Sequence, residues 1–231
     1  MSNIENNAIV SEPEWNKARV ELLVKEKKLA RLREEIAADR RALPWQAVKE
    51  DYVFNGPAGE KQLSELFGSK SQLIVVHFMY GPEWQEGCKS CSFFADQHDA
   101  VNMHLGARDV SLVVISRAQW PEFQNFKARM QWDFEWLSSS GNTFNADYHV
   151  SFPGQESGYY NYKEGGVAEE LPGVSIFYKD DTGAMFHTYS TYARGLDTLM
   201  STYQMLDLVP KGRDEADLPF TMSWLKHHDS Y

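Results

Sequence analysis

Two stretches of this chain are apolar at consecutive rather than alternate positions, Gln72-Leu-Ile-Val-Val-His-Phe-Met-Tyr80 and Asp109-Val-Ser-Leu-Val-Val-Ile-Ser116. A strand of that kind must be buried on both faces, as happens where helices cover a sheet above and below. Between the two, Ser92 to Leu105 spaces Phe94, His98, Val101 and Leu105 along one helical face, which completes a strand, helix, strand unit. Trp120 to Met130 predicts a further helix with Phe123, Phe126 and Met130 on one side, and Phe134 to Leu137 a further short extended run. The alternation argues for an α/β fold with a parallel sheet covered on both faces.

The flanking segments are read in the same way. Ser11 and Pro13 open a long helix that runs from Glu14 to about Ala42 and stops at Pro44. Trp15, Leu22, Leu29, Ile36 and Leu43 recur every seven residues, but the companion positions include the charged Lys25 and Asp39, so a full coiled-coil heptad fails. The expectation is an arm packed on its own domain or on a second subunit. Tyr52 to Gly59 reads as a short strand or hairpin and Leu63 to Phe67 as a short helix. Ser138 to Pro172 breaks into Gly, Asn, Ser and Tyr and predicts a long aromatic loop, functional or mobile. Val174 to Tyr178 and Ala184 to Tyr189 flank the turn Lys179-Asp-Asp-Thr-Gly183 as a β-hairpin. Gly195 to Leu208 reads as a closing helix, followed by a tail that Trp224 docks. The expected organisation is a helical arm over 1–50, a domain over 51–208 with the loop 138–172 inserted, and a tail over 209–231.

Charge and composition exclude several classes of function. A formal charge of -10 without a compact basic patch disfavours nucleic acid as a partner. The arm mixes nine Lys or Arg with seven Asp or Glu between Glu12 and Arg41, the pattern of a solvated face. No apolar run approaches the roughly 20 residues that cross a bilayer, and the polar start Met1 to Asn7 lacks the basic and apolar regions of a signal peptide. The expected location is therefore the cytoplasm, with no membrane partner.

The chain has two cysteines, Cys88 and Cys91. One bridge over so short a loop would constrain the unfolded chain only slightly, so their use is chemical. A Cys-x-x-Cys spacing would arise by chance about one time in a hundred in a chain like this. The pair follows the end of a central strand and opens a helix, whose unpaired N–H groups and positive dipole end stabilise a thiolate. Cys88, nearest that end, is the expected nucleophile, and Cys91, one turn on, the thiol that resolves the mixed disulfide. Lys89 would lower the nucleophile's pKa and Glu86 would oppose it. Two thiolates are also half of a zinc knuckle, but His77, His98, His149 and His187 show no ligand spacing, so no metal and no cofactor is expected. Inert buried thiols are the remaining alternative. Ser190-Thr-Tyr-Ala-Arg-Gly195 follows the last strand, where Arg194 could pair with a carboxylate, polarise a peroxide, or form a structural ion pair.

The segments Arg40-Arg-Ala-Leu-Pro-Trp45, His77-Phe-Met-Tyr-Gly-Pro-Glu-Trp84, Glu86-Gly-Cys-Lys-Ser-Cys-Ser92, Val113-Val-Ile-Ser-Arg117 and Phe186-His-Thr-Tyr-Ser-Thr-Tyr-Ala-Arg-Gly-Leu-Asp197 together resemble the thioredoxin-like family catalogued as domain of unknown function 899. Its members are described as predicted dithiol-disulfide oxidoreductases. The resemblance implies a thioredoxin-like fold, with a central mixed sheet flanked by helices and the cysteines at the head of the first main helix. It implies redox activity and names no substrate. Thioredoxins carry a cis-proline opposite the cysteines, before the hairpin strand, and Ser175 is read as standing there. A peroxiredoxin-like thiol peroxidase is the alternative, on Pro82 and Arg194, although Gln85 and Glu86 stand where that family has a hydroxyl.

These readings converge on Cys88 attacking and Cys91 resolving, with Trp84, Tyr80, Ser175 and Arg194 lining the approach. The partners would be a disulfide or peroxide substrate and a thiol reductant, and the arm could pair two copies into a homodimer. A competing class is a thioredoxin-fold binding module that lost the reaction and uses Phe152 to Tyr162 as its contact surface.

Overall fold

The computed structural model describes residues 7–231; most of the start read at Met1 to Asn7 lies outside them. In chain order the elements are α1 (Glu12–Ala42), β1 (Gln46–Ala47), β2 (Val53–Gly56), β3 (Gly59–Gln62), α2 (Leu63–Leu66), β4 (Gln72–His77), α3 (Lys89–Ala95), α4 (His98–Gly106), β5 (Val110–Ser116), α5 (Trp120–Arg129), β6 (Glu135–Ser138), α6 (Phe144–Asp147), β7 (Ser157–Tyr160), β8 (Lys163–Gly166), β9 (Gly173–Lys179), β10 (Met185–Tyr192) and α7 (Ser201–Leu206). Eight strands form one sheet in the order β1-β10-β9-β4-β5-β6-β2-β3, and β7 and β8 pair apart from it.

The two consecutive-apolar runs lie at its centre. β4 and β5 pair in parallel from Gln72 opposite Val110 to His77 opposite Ile115, and β5 pairs in parallel with β6. The hairpin β9–β10 adds antiparallel on the other side of β4. This is a thioredoxin-like α/β fold: a central mixed sheet flanked by helices, with a long N-terminal helix. Because side chains alternate across a strand, the centre supplies two cores. Val76, Phe78, Val114 and Trp136 face the layer of α3 and α5. Val75, Val113, Ile115 and Phe177 face α2 and α6.

Several sequence expectations need correction. The helix expected over Ser92 to Leu105 is two helices, broken at Asp96 and Gln97. Trp132 Nε1 donates to Asp96 at 3.0 Å, while Gln97 accepts from Ser201 N–H at 3.1 Å and donates to the Leu199 carbonyl. These distant partners draw the two side chains away from a continuous helical row. The closing helix expected from Gly195 is a 3-10 turn, Ala193–Leu199, followed by the short α7. The stretch 138–172 is not bare loop; it contains α6 and the β7–β8 hairpin. Within it Phe152 is buried, and Tyr160 donates its hydroxyl to the Pro172 carbonyl at 2.8 Å.

The arm does not pack on its own domain. α1 begins with a Ser11–Glu14 capping box and Pro13 in its first turn, but none of its residues is buried. It meets the body only near its base, where the Arg40 guanidinium lies 5.2 Å from the centre of the Tyr189 ring. No described helix is long and apolar enough to cross a membrane. The tail is held at Trp224, which contacts Phe93 and donates Nε1–H to Glu215 at 2.7 Å.

Candidate functional site

Beyond β4 the chain turns through Phe78 to Gly87 and returns, the Cys88 N–H donating to the Met79 carbonyl at 3.2 Å. Cys88 occupies the N-cap of α3, and its carbonyl accepts both the N–H and the hydroxyl of Ser92, each at 2.9 Å. Gly87 sits against an aromatic wall: a Cβ there would lie 2.6 Å from the Phe126 ring and 2.7 Å from that of Phe78. Only a residue without a side chain lets the loop come so close. The Gly87 carbonyl accepts from His227 Nε2 at 3.0 Å, so the end of the tail clamps the approach to Cys88.

Both cysteines are free thiols, Cys88 half-buried and Cys91 buried. Their electrostatics are opposite. Cys88 is pulled down to about 6, first by the hydrogen bond from Cys91, then by the Ser90 side chain and the backbone N–H groups of Cys91 and Ser90, all against the cost of burial. The Ser90 hydroxyl lies 3.1 Å from the Cys88 sulfur. Cys91 is pushed well up, because its proton is held by Cys88 and its own site is dry. Its sulfur accepts the Met79 N–H at 3.4 Å. The opposite shifts put the charge on the more accessible sulfur and leave the proton on the buried one. Hydrogen bonds, not Lys89, set this state, and Glu86 does not oppose it, being tied to Arg129 and lowered chiefly by that contact.

Beside Cys91, though not lined by Cys88, lies a cavity of about 200 Å³ lined by Ser90, Phe94, Pro172, Arg194 and Met200 among others. Arg194 shares this cavity with Cys91, but its side chain is 73% exposed and bonded to Asp197 at 2.9 Å. Tyr80 is not on the approach. It is buried against Phe123, Phe126 and Trp136, because its strand continuation turns it into the core. Ser175 is also displaced from its expected place. Strand alternation puts it on the opposite face of the sheet, where it bonds to His77 Nε2 at 2.9 Å and Ser190 at 2.8 Å. The residue at the head of β9 beside Cys91 is Pro172, in a trans peptide. Trp84 stands exposed in the loop before the cysteines, its indole over Gly81.

Sequence reasoning missed three residues of this site. Ser90, inside the Cys-x-x-Cys itself, supplies the hydroxyl sought before the cysteines. Pro172 had a signal in the sequence as the proline heading the hairpin strand, three residues before Ser175. His227 had no local signal, since 139 residues separate it from Cys88. Among the described residues no three His, Cys, Asp or Glu converge as metal ligands. His77 faces Phe144 and Tyr148 across the sheet from the thiols.

Over residues 4–231 the chain matches the profile of a family described as bacterial protein of unknown function (DUF899). No curated protein matches it. Similar solved structures include peroxiredoxin Q of Xanthomonas campestris, at 12% identity over 68% of this chain and 94% of that one with a TM-score of 0.45. Peroxidoxin BcpB of Mycobacterium tuberculosis is similar at 16% identity over 71% of this chain and 97% of that one, with a TM-score of 0.46.

Proposed function

The chain belongs to the bacterial DUF899 family, and for this member we propose a thiol-disulfide oxidoreductase in which Cys88 is the nucleophile and Cys91 resolves. The observation that carries the reading is the placement of the pair: Cys88 partly accessible at the N-cap of α3 with the Ser90 hydroxyl 3.1 Å from its sulfur, and Cys91 buried one turn on, surroundings that lower the first thiol and raise the second. A thiol lowered in this way is mainly thiolate at neutral pH. It attacks one sulfur of a substrate disulfide; the S–S bond breaks, the other sulfur leaves as a thiolate and takes up a proton, and a mixed disulfide forms. That step removes the negative charge at Cys88, the first cause holding Cys91 protonated. Cys91 then loses its proton, attacks Cys88 and expels the second substrate thiol. The internal disulfide carries two electrons fewer than the starting pair, and a thiol reductant of a reducing cytoplasm restores them.

A peroxidase reading has its own observation, the Ser90 hydroxyl 3.1 Å from the Cys88 sulfur, with Ser90, Cys91 and Arg194 all lining a cavity of about 200 Å³. In that reading Cys88 would attack one peroxide oxygen, the O–O bond would break and the second oxygen would leave protonated. The sulfenic acid on Cys88 would then condense with Cys91 and release water.

Mass spectrometry of the reduced protein tests both. With oxidised glutathione, wild type should end as an internal disulfide and Cys91→Ser as one glutathionyl adduct on Cys88; with hydrogen peroxide, Cys91→Ser should instead hold a sulfenic acid. Preference for the first oxidant favours the exchange reading, and preference for the second the peroxidase. A Cys88→Ser variant reacting with either at the wild-type rate would sink the nucleophile assignment.

A further inference from the structure

Two parts of the molecule are apolar and uncovered, and each has the shape the other lacks. α1 has 31 residues, about 46 Å of helix at 1.5 Å per residue. Trp15, Val20, Leu22, Val24, Leu29 and Leu32 are all at least half exposed on it. A helix in water draws most of its stability from burying an apolar face, and exposed apolar stretches of this size mark interaction sites.

The second part is a groove of about 660 Å³ on the body. Its floor is Ile74, Leu112 and Ile176 of the central strands, and its walls include Leu105 of α4 and Leu199 and Met205 beside and on α7. Met205 is 67% exposed at the rim. Arg40 lies at one edge, so the chain's own arm leaves from the mouth of the groove and no apolar residue of its seam enters.

We propose that the groove receives α1 of a second copy of this chain, the two copies exchanging arms about a twofold axis. The arm is the net basic stretch, nine basic against seven acidic side chains, while the rest of the chain carries 14 basic and 26 acidic ones. Arm and body thus carry net charges of opposite sign, so the arm meets another copy's body more favourably than one body meets another. A twofold exchange also uses each helix and each groove once, so the contact closes without leaving either free. The seam Trp15, Leu22, Leu29 and Ile36 on each arm, with the groove residues it covers, brings the buried area to the order of the ~1,200 Å² at which stable interfaces begin. The contact uses neither cysteine, so it stands apart from the redox reading.

Sedimentation equilibrium of the full chain tests the proposal. The expected mass is twice the 26.5 kDa of one chain. Leu22→Glu with Leu29→Glu, and separately Leu199→Glu with Met205→Glu, should each give monomers whose circular dichroism and thiol reactivity match wild type. A monomer at every concentration overturns the proposal. So does a dimer that survives the groove substitutions, because the arms would then be pairing with each other.

Discussion

At the residue scale the chemistry rests on who holds one proton. Ser90 and two backbone N–H groups assist Cys91 in holding the Cys88 charge. Replacing Ser90 with alanine removes one neutral donor, an effect of about 1 kcal/mol, and should move the midpoint of Cys88 alkylation from about 6 toward about 7. Rates of iodoacetamide reaction between pH 4 and 9 read this directly, and an unmoved midpoint would show that Ser90 plays no part. A different residue governs acid stability. His98 is buried between Phe94 and Phe134, neither ring nitrogen has a protein partner, and burial pulls it down to about 4. A histidine lowered in the folded state stabilises it fully above its unfolded pKa of roughly 6.5, and the stabilisation is lost as pH falls toward 4. His98→Leu should remove that loss and add about 1 kcal/mol at neutral pH, measured by urea unfolding at pH 7 and pH 5. The buried His77, at about 3, would leave a residual slope in the same direction.

At the element scale the decisive piece is the turn from β4 into α3. It is held by the Met79 carbonyl, by the Gly87 approach to Phe78 and Phe126, and by His227 from the tail. Gly87→Ala forces a methyl group within 2.7 Å of both rings. Overpacking of that kind costs roughly 1–3 kcal/mol, and here it also pushes Cys88 off its donors. A lower melting temperature together with slower alkylation is expected; a melt and a thiol rate equal to wild type would mean the wall yields without disturbing the site. The strands and most helices around this turn were legible because each repeats a local pattern. The break at Asp96 was not, because its cause is Trp132 and α7, and the placement of Ser175 failed because a reading that misjudges where a strand begins puts its side chains on the wrong face.

At the scale of the whole molecule, a thiolate held in the reduced state makes the folded protein depend on its redox state. Cys88 is lowered by folding, so its contribution is fully present above the unfolded pKa of roughly 8.5 and is lost as pH falls through about 6. The reduced protein should therefore gain stability over the oxidised form between pH 6 and 8.5, and lose that gain below pH 6, in paired thermal melts. A pKa of about 6 also lies between those of weakly and strongly oxidising Cys-x-x-Cys proteins. Equilibration in glutathione buffers should accordingly give a potential near roughly -200 mV; thiols that stay reduced in every buffer would remove the oxidoreductase reading. The sequence by itself determined the buried parallel strands, the long N-terminal helix, the hairpin and the Cys-x-x-Cys at a helix start. Each is a matter of local spacing, turn chemistry or capping, which neighbouring residues decide among themselves. Only the tertiary structure decided that Pro172 rather than Ser175 stands beside Cys91, that His227 closes on Gly87, and that α1 stays clear of its own body. Those outcomes depend on which faces meet after the chain has crossed the sheet, and a contact between residues far apart in sequence leaves no periodicity in either segment.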